Sequence, residues 1–457
     1  MQILFIHVAG RTGNRHRTNL IPNGLFGLAD GLDKSGHKVT IIHKELEETL
    51  SPHFDLASYV TTTAYDLACF DLYFHYQSHS VLEAARLVKK YSPRTHILLG
   101  GLTASIFANE ILENFSFVDS VLKGDCEQPI LQLAKALEEK TTLAAVANLH
   151  YRENRLILNN PMTYVITPEI YKNTSYANYK LLKNHDVYFH MRLNSPNLSN
   201  IKQTYYSFGR SCPKNCSFCG ASHSVEALIN GRRTTFLKDA SSVAADLKAA
   251  KSYGITHWNA GFDPLSNPGY LTELFSILRA ENIRLDFVFD SFGLPTDSLL
   301  QDIANTFNPR PIINISPYSG SRRVRISNGT SNYTNDELIN SLTEMKNHNL
   351  RCSVYFTAGL FNETDDDVEQ TKTLIRSIRQ KFPEFQIHAQ AIEIEPFSLI
   401  SRKADEHGIK NHPQTFLDYV RLHAAGDDIA YETEFFNFTQ IKDIVKEYNV
   451  CAQTTPY

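Results

Sequence analysis

Basic charge is not in excess in these 457 residues. Forty-five Lys and Arg stand against 49 Asp and Glu, a formal net charge of −4. That balance gives no electrostatic ground for a nucleic-acid partner, because phosphate backbones reward dense Lys and Arg. No apolar run approaches the roughly 20 residues that span a bilayer. The opening MQILFIHV reads as a strand and lacks the basic start and long apolar stretch of a secretory leader. Neither nucleic acid nor membrane is therefore an expected partner. The phosphate-cradling string GxGxxG is missing, and so is D-x-H-x-x-G. Cysteine is sparse: of seven, Cys69, Cys126, Cys352 and Cys451 are scattered and suggest no disulfide framework. Free thiols fit a reducing compartment, so a cytoplasmic location is expected. Hydrophobic content of 42% and charged content of 21% are those of a globular protein, with room for two or three domains.

The other three cysteines stand together. Cys212, Cys216 and Cys219 form a C-x3-C-x2-C cluster in FGRSCPKNCSFCGAS. Three thiolates this close can hold one metal centre. A cubane [4Fe–4S] cluster normally takes four cysteines, so three leave one iron open to a ligand that is not protein. Zinc is the alternative. His223, four residues after Cys219, would complete a site of three cysteines and one histidine. Ordinary core packing is the bland reading. Pro213 and Asn215 suit a tight loop that lets the thiolates converge. Phe218 can shield the centre from water, and burial tunes such a cluster.

The first 140 residues alternate short apolar runs with helical patterns. QILFIHV, KVTIIH at 38–43, DLYFHY at 71–76, THILLGG at 95–101 and DSVLKGD read as strands. This predicts a Rossmann-like, doubly wound parallel sheet over 1–140. Ligands on such sheets sit at the carboxyl ends of the strands. Gly100, Gly101 and Gly124 fall there, and tight turns are their simpler role. Residues 141–200 have no clear period and read as a linker. From 201 to 395 the β/α alternation resumes, with a Thr-x-x-Glu capping box at Thr334 and Glu337. Residues 396–457 are expected as an extension covering the mouth of that domain.

The cysteine cluster, with an aromatic residue before its third cysteine, resembles the signature of the radical S-adenosylmethionine (SAM) superfamily. The resemblance implies a partial (β/α)6 barrel. It also implies a cluster held by Cys212, Cys216 and Cys219, and SAM chelated at the fourth iron beside Phe218. Asp263, in Gly261-Phe262-Asp263, stands where related enzymes place an acid against the SAM amino group; a turn or helix cap is its other reading. Ser316-Pro317-Tyr318-Ser319 is similar to an ESGS-type segment with Tyr318 at the acid's position, which leaves Ser316 and Ser319 to hydrogen-bond SAM. Arg323 or Arg325 can fork around the SAM carboxylate, or lie on a solvated helix face. AGLFNET at 358–364 is similar to a structural GLPGET turn. The strings SHS (Ser78, His79, Ser80), LLGGLTAS (with Gly100, Gly101, Leu102, Thr103) and VLKGDCEQP (with Gly124, Asp125, Cys126) resemble the cobalamin-binding domain found before many radical SAM domains. Without D-x-H-x-x-G, the chain lacks the histidine that ligates cobalt from below in mutase-like domains.

The implied function is a cobalamin-dependent radical SAM enzyme, with a C-methyltransferase as the leading expectation. One SAM methylates the cobalt. A second is cleaved at the cluster to a 5′-deoxyadenosyl radical, which takes hydrogen from the substrate before methyl transfer. The alternatives are a non-methylating oxidation, cyclisation or ring rearrangement by the same parts, and a non-catalytic metal- or cobalamin-binding protein. An electron donor such as flavodoxin or ferredoxin is implied, with an organic substrate, small molecule or peptide, that no motif identifies. The tail offers only Cys451, which argues against auxiliary-cluster enzymes.

Overall fold

The computed structural model describes residues 1–12, 15–17, 20–192, 195–265, 267–426 and 431–453. The chain divides into two compact units. One comprises Met1–Thr204, Glu226–Arg233 and Pro413–Asp428. The other comprises Tyr205–Val225, Thr234–His412 and Ile429–Tyr457.

In the first unit the apolar runs become parallel strands. They are β1 (Gln2–His7), β2 (Lys38–His43), β3 (Leu67–Asp71), β4 (His96–Gly100) and β5 (Ser120–Leu122), in the order β2-β1-β3-β4-β5. All residues of β1 after Gln2 are buried, as a central parallel strand covered on both faces requires. Helices Asn23–Lys34, Ser78–Tyr91 and Pro129–Glu139 supply cover. The order reverses between β1 and β3, the point at which a sheet of this kind opens a crevice beyond its carboxyl ends.

Two expectations shift here. DLYFHY is not a strand: the more apolar Leu67–Asp71 fills the slot between β1 and β4, and His75–Gln77 is a 3-10 turn leading into the next helix. Part of the expected linker is sheet. β6 (Leu149–Glu153) and β7 (Leu156–Asn159) form an antiparallel hairpin that extends the sheet beyond β5. Its two-residue turn, Asn154-Arg155, has φ of 49° and 68°. That turn usually carries glycine second, so arginine there conceals it.

Among the described residues, the main sheet of the second unit has six strands in sequential order. These are β8 (Gln203–Tyr205), within which the unit boundary falls, β9 (His257–Ala260), β10 (Asp286–Ser291), β11 (Ile312–Tyr318), β12 (Arg351–Ala358) and β13 (Gln386–Ala391). Strands β9 to β13 pair in parallel, and helices intervene. This is a partial (β/α)6 barrel. Alternation along each strand separates two faces. Phe287 of β10 stacks on Phe307, centroids 3.9 Å apart, and meets Phe275 of the helix Pro268–Ala280, so its face is the helix side. Asp290, Asn314 and Ser316 alternate with buried apolar residues and occupy the inner face. The capping box forms as expected, with Thr334 and Glu337 exchanging hydrogen bonds.

The C-terminal extension does not act as one cover. Helix Phe416–Ala425 belongs to the first unit, where Phe416 packs 5.5 Å from Phe107 and its N–H donates to Glu110 at 2.7 Å. Helix Phe438–Ala452 belongs to the second, burying Ile441, Ile444 and Tyr448 beside β12 and β13. Its apolar stripe makes it a barrel helix. Among the described residues no helix is long and apolar enough to cross a membrane.

A buried charge pair ties the start of the barrel. Lys238 donates to Asp246 of the helix Ala240–Ser252, which also accepts the Tyr206 hydroxyl at 2.7 Å. Asp246→Ala removes the carboxylate from a buried ammonium and is expected to lower the unfolding free energy by about 3–5 kcal/mol. Adding Lys238→Met should recover most of the loss. Denaturant midpoints for the two variants check both.

Candidate functional site

The three cysteines lie on one loop of the second unit, each half-buried. Backbone N–H groups point at two of the sulfurs. Lys214 donates to Cys212 Sγ and Ala221 to Cys219 Sγ, both at 3.4 Å. Such donors favour anionic sulfur and tune a bound cluster. Burial pushes the Cys216 thiol up to about 11, against the pull of Lys214. Burial, with Glu395 nearby, also pushes the Cys219 thiol well above its ordinary value. A coordinated metal reverses that trend by deprotonating its thiols.

The loop is stapled from two sides by residues that the sequence reading missed. Ser217 N donates to Asn328 O at 3.0 Å, and Ser217 Oγ to Asn328 Oδ1 at 2.8 Å. Gly329, at φ 65°, lets the backbone pass Asn215: a Cβ there would lie 2.6 Å from Asn215 O. From the other side Glu395 accepts Gly220 N–H at 2.6 Å and donates its own N–H to Phe218 O at 3.0 Å. The Asn328-Gly329 pair was the available signal. Nothing local marked Glu395.

Around the loop the expected SAM residues divide. Phe218 is buried, its ring 5.4 Å from that of Tyr318. Tyr318 holds φ 67° where the β11 register slips, and burial plus the three nearby cysteines push its phenol up. A bulky residue at positive φ is strained, a state that clusters at functional sites. Asp263 is buried and caps no helix. Its Oδ2 accepts Phe292 N–H at 2.8 Å and Ser291 Oγ–H at 3.3 Å, and Lys214 lies close enough to feel its charge. Ser316 is half-buried on the inner face of β11. A cleft of about 370 Å³ opens beside Lys214, lined by Leu265, Phe292, Leu294 and Tyr333.

Two expectations are corrected. Ser319 is fully buried, its hydroxyl engaged by Ser321 N–H at 3.1 Å and the Thr371 hydroxyl at 3.2 Å. Arg325 is also fully buried. Its Nη1 donates to Ser319 O and Asn335 Oδ1, and its Nη2 to Tyr333 O. With both terminal nitrogens committed it offers no fork for a carboxylate. Arg323 is likewise taken, by Asp367 and Asn362 O.

In the first unit the candidates gather at the carboxyl ends of β3, β4 and β5. Ser78 opens the helix Ser78–Tyr91, buried, and its Oγ has no hydrogen-bond partner among the described residues. His79 and Ser80 follow, half-buried. At Gly100 a Cβ would meet nothing nearer than Leu122 O at 3.9 Å. At Gly101, φ 104°, it would strike Leu72 O at 2.7 Å, so only glycine fits. Leu102 is half-buried, and Thr103 spends its hydroxyl on Tyr73 O at 3.0 Å. The Gly124 turn differs from expectation. Its open side is filled by Asn230, 3.4 Å from an added Cβ. Asp125 pairs with Arg232 at 3.5 Å and accepts Ile166 N–H at 3.1 Å, while Cys126 Sγ donates to Gly124 O. Asp125 and Cys126 therefore build the turn and face protein rather than a ligand.

A polar group that went unnoticed sits at the ends of β1, β2 and β3. His7 Nδ1 lies 2.8 Å from Asp71 Oδ2, the His7 and His43 rings are 4.8 Å apart, and Glu45 accepts Ala9 N–H at 2.9 Å. Its trace in the sequence is a polar residue closing each apolar strand: FIH, IIH and CFD.

Residues 206–375 match the Radical SAM superfamily model. Several curated proteins carry sequence similarity, two of them named as methylating enzymes. A hopanoid C-3 methylase of Methylococcus capsulatus is 25% identical over 147 residues, 32% of this chain and 28% of that protein. An uncharacterised methyltransferase of Pyrococcus horikoshii is 20% identical over 327 residues, 66% and 62% of the two chains. The chain thus spans less than two thirds of either relative. Among solved structures, the radical SAM methyltransferase TsrM of Kitasatospora setae, with cobalamin and [4Fe–4S] cluster bound, aligns with TM-score 0.71 at 12% identity, covering 99% of this chain and 89% of that one. The cobalamin-dependent radical enzyme OxsB aligns with TM-score 0.68 at 12% identity, covering 99% and 66%. These two share the fold.

Burial raises the Asp263 carboxyl to about 6, opposed by its hydrogen bonds and Lys214. A raised acid favours the folded state while it is protonated. That advantage is complete below the unfolded value near 4 and is lost as pH rises through about 6. Asp263→Asn is therefore expected to raise stability at pH 8 by about 1–3 kcal/mol relative to its effect at pH 4. Thermal melts at the two pH values read the difference.

Proposed function

We propose that this chain, whose residues 206–375 form a radical SAM domain, is a cobalamin-dependent radical SAM methyltransferase. The observation that carries this reading is the stapled loop of three half-buried cysteines at one end of a partial barrel. Cys212, Cys216 and Cys219 hold a [4Fe–4S] cluster, and the N–H groups of Lys214 and Ala221 ease charge on the sulfurs. The donor set fits, since N–H groups aimed at sulfur suit metal thiolates. Asp263 receives the SAM amino group, and the cleft beside Lys214 gives room for its nucleoside. Ser316, on the inner face of β11, offers a further hydroxyl.

In the first unit the Ser78 Oγ, without a partner among the described residues, and the open backbone at Gly100 fit cobalamin, with His79, Ser80, Gly101, Leu102 and Thr103 beside them. When bound, the cluster, SAM and cobalamin supply an adenosyl radical and a cobalt-borne methyl group. The rings of Phe218 and Tyr318 shield the cysteine loop, and water exclusion protects a radical step. The substrate is an organic molecule. The electron comes from a small redox protein of the flavodoxin or ferredoxin kind, and nucleic acid is not a partner.

Anaerobic reconstitution tests this. The expected protein is brown, with about four irons and four sulfides per chain. It binds hydroxocobalamin, and under reduction it yields 5′-deoxyadenosine together with S-adenosylhomocysteine and a methylated product. Cys216→Ala should reduce 5′-deoxyadenosine to background. Colourless protein with stoichiometric zinc would sink the cluster. Deoxyadenosine without S-adenosylhomocysteine would sink methyl transfer and leave a non-methylating radical enzyme.

A further inference from the structure

The inner face of the partial barrel holds a carboxylate that the chemistry above does not use. Asp290 stands near the carboxyl end of β10, alternating with the helix-facing Phe287 and Phe289. Asn314 of β11, its neighbour in register, donates to Asp290 Oδ1 at 2.6 Å. No Lys, Arg or His pairs with it among the described residues. Asp290 is half-buried, and a largely desolvated carboxylate held by one neutral amide is costly, since such charges are normally paired. Burial raises its carboxyl accordingly.

Aromatic side chains share this space. Ala260 pairs with Phe289, so Gly261 comes next to Asp290. Tyr205 fills the room that Gly261 leaves: a Cβ there would lie 1.9 Å from the Tyr205 hydroxyl. Tyr355, on the inner face of β12, stacks on His388 of β13 with centroids 4.8 Å apart and planes 22° apart. The Asp290 charge acts on the phenols of both tyrosines. An acidic group beside aromatic faces is a receptor for an organic cation, which gains a charge-assisted hydrogen bond and ring contact together.

We propose that Asp290 anchors the substrate by receiving its primary ammonium group, with Tyr205, Tyr355 and His388 walling the carbon body beside it. This rests on the reading of the barrel as the reaction chamber. It narrows the substrate class to amines with an apolar or aromatic body.

The test titrates the cluster-reconstituted full chain anaerobically with phenethylamine and with 2-phenylethanol, its neutral counterpart, by calorimetry. Wild type should prefer the ammonium by about tenfold or more, the scale of one charge-assisted hydrogen bond. Asp290→Asn should erase that preference, and Asp290→Glu, which keeps the charge, should retain part of it. If Asp290→Asn does not fold, the smaller Asp290→Ser reads the same loss. Equal binding of both probes by wild type overturns the anchor, as does a preference that survives in Asp290→Asn. SAM affinity that falls in step with amine affinity also overturns it, because Asp290 would then serve the cofactor. Reductive SAM cleavage without amine is measured separately. Ammonium preference without cleavage supports the anchor and overturns the proposed reaction, whereas cleavage without preference overturns the anchor alone.

Discussion

The candidate chemistry depends on holding one short loop still. Cys212, Cys216 and Cys219 sit on backbone with no regular structure of its own, so their positions are set by what grips it. Asn328 and Gly329 grip it through Ser217 and Asn215, and Glu395 grips it through Gly220 and Phe218. These anchors are more than 100 residues downstream of the loop and come from different β/α units of the barrel. A metal centre needs its donors fixed to a few tenths of an ångström. The consecutive parallel strands make this possible, because their carboxyl ends deliver all these segments to one edge.

The same logic governs the first unit. A sheet ordered β2-β1-β3-β4-β5 gathers its strand ends, and helix starts and turns collect there. Not every polar residue at that edge faces a ligand. Gly101 is glycine because Leu72 leaves no room for a Cβ. Asp125 is committed to Arg232 and Ile166. Ser78 and Gly100 differ from these, since among the described residues one has an unmet hydroxyl and the other an open approach.

Much of this was legible in the sequence. Short apolar runs alternating with amphipathic helices gave both sheets, and the C-x3-C-x2-C spacing located the cysteine loop. Errors arose where local pattern was ambiguous. DLYFHY and LACFD are both short and apolar-rich, and only competition for one slot in the sheet selects the second. The 149–159 hairpin hid behind a turn without glycine. Arg325 read as a fork for the SAM carboxylate or an exposed helix cation, because three hydrogen-bond partners cannot be seen in a linear pattern. Asp290 carried no motif and emerged only when its inner face was known.

The sequence by itself determined the two sheet-forming halves, the three thiols and the absence of a membrane-spanning apolar run, since periodicity, spacing and composition are local properties. Tertiary structure decided which polar groups remain free. It committed Ser319, Arg325, Asp125 and Cys126 to internal bonds, supplied Asn328 and Glu395 as anchors for the loop, and left Ser78 and Asp290 short of partners among the described residues. Hydrogen bonding is a matter of who stands beside whom, and neighbours distant in sequence are chosen only when the strands assemble.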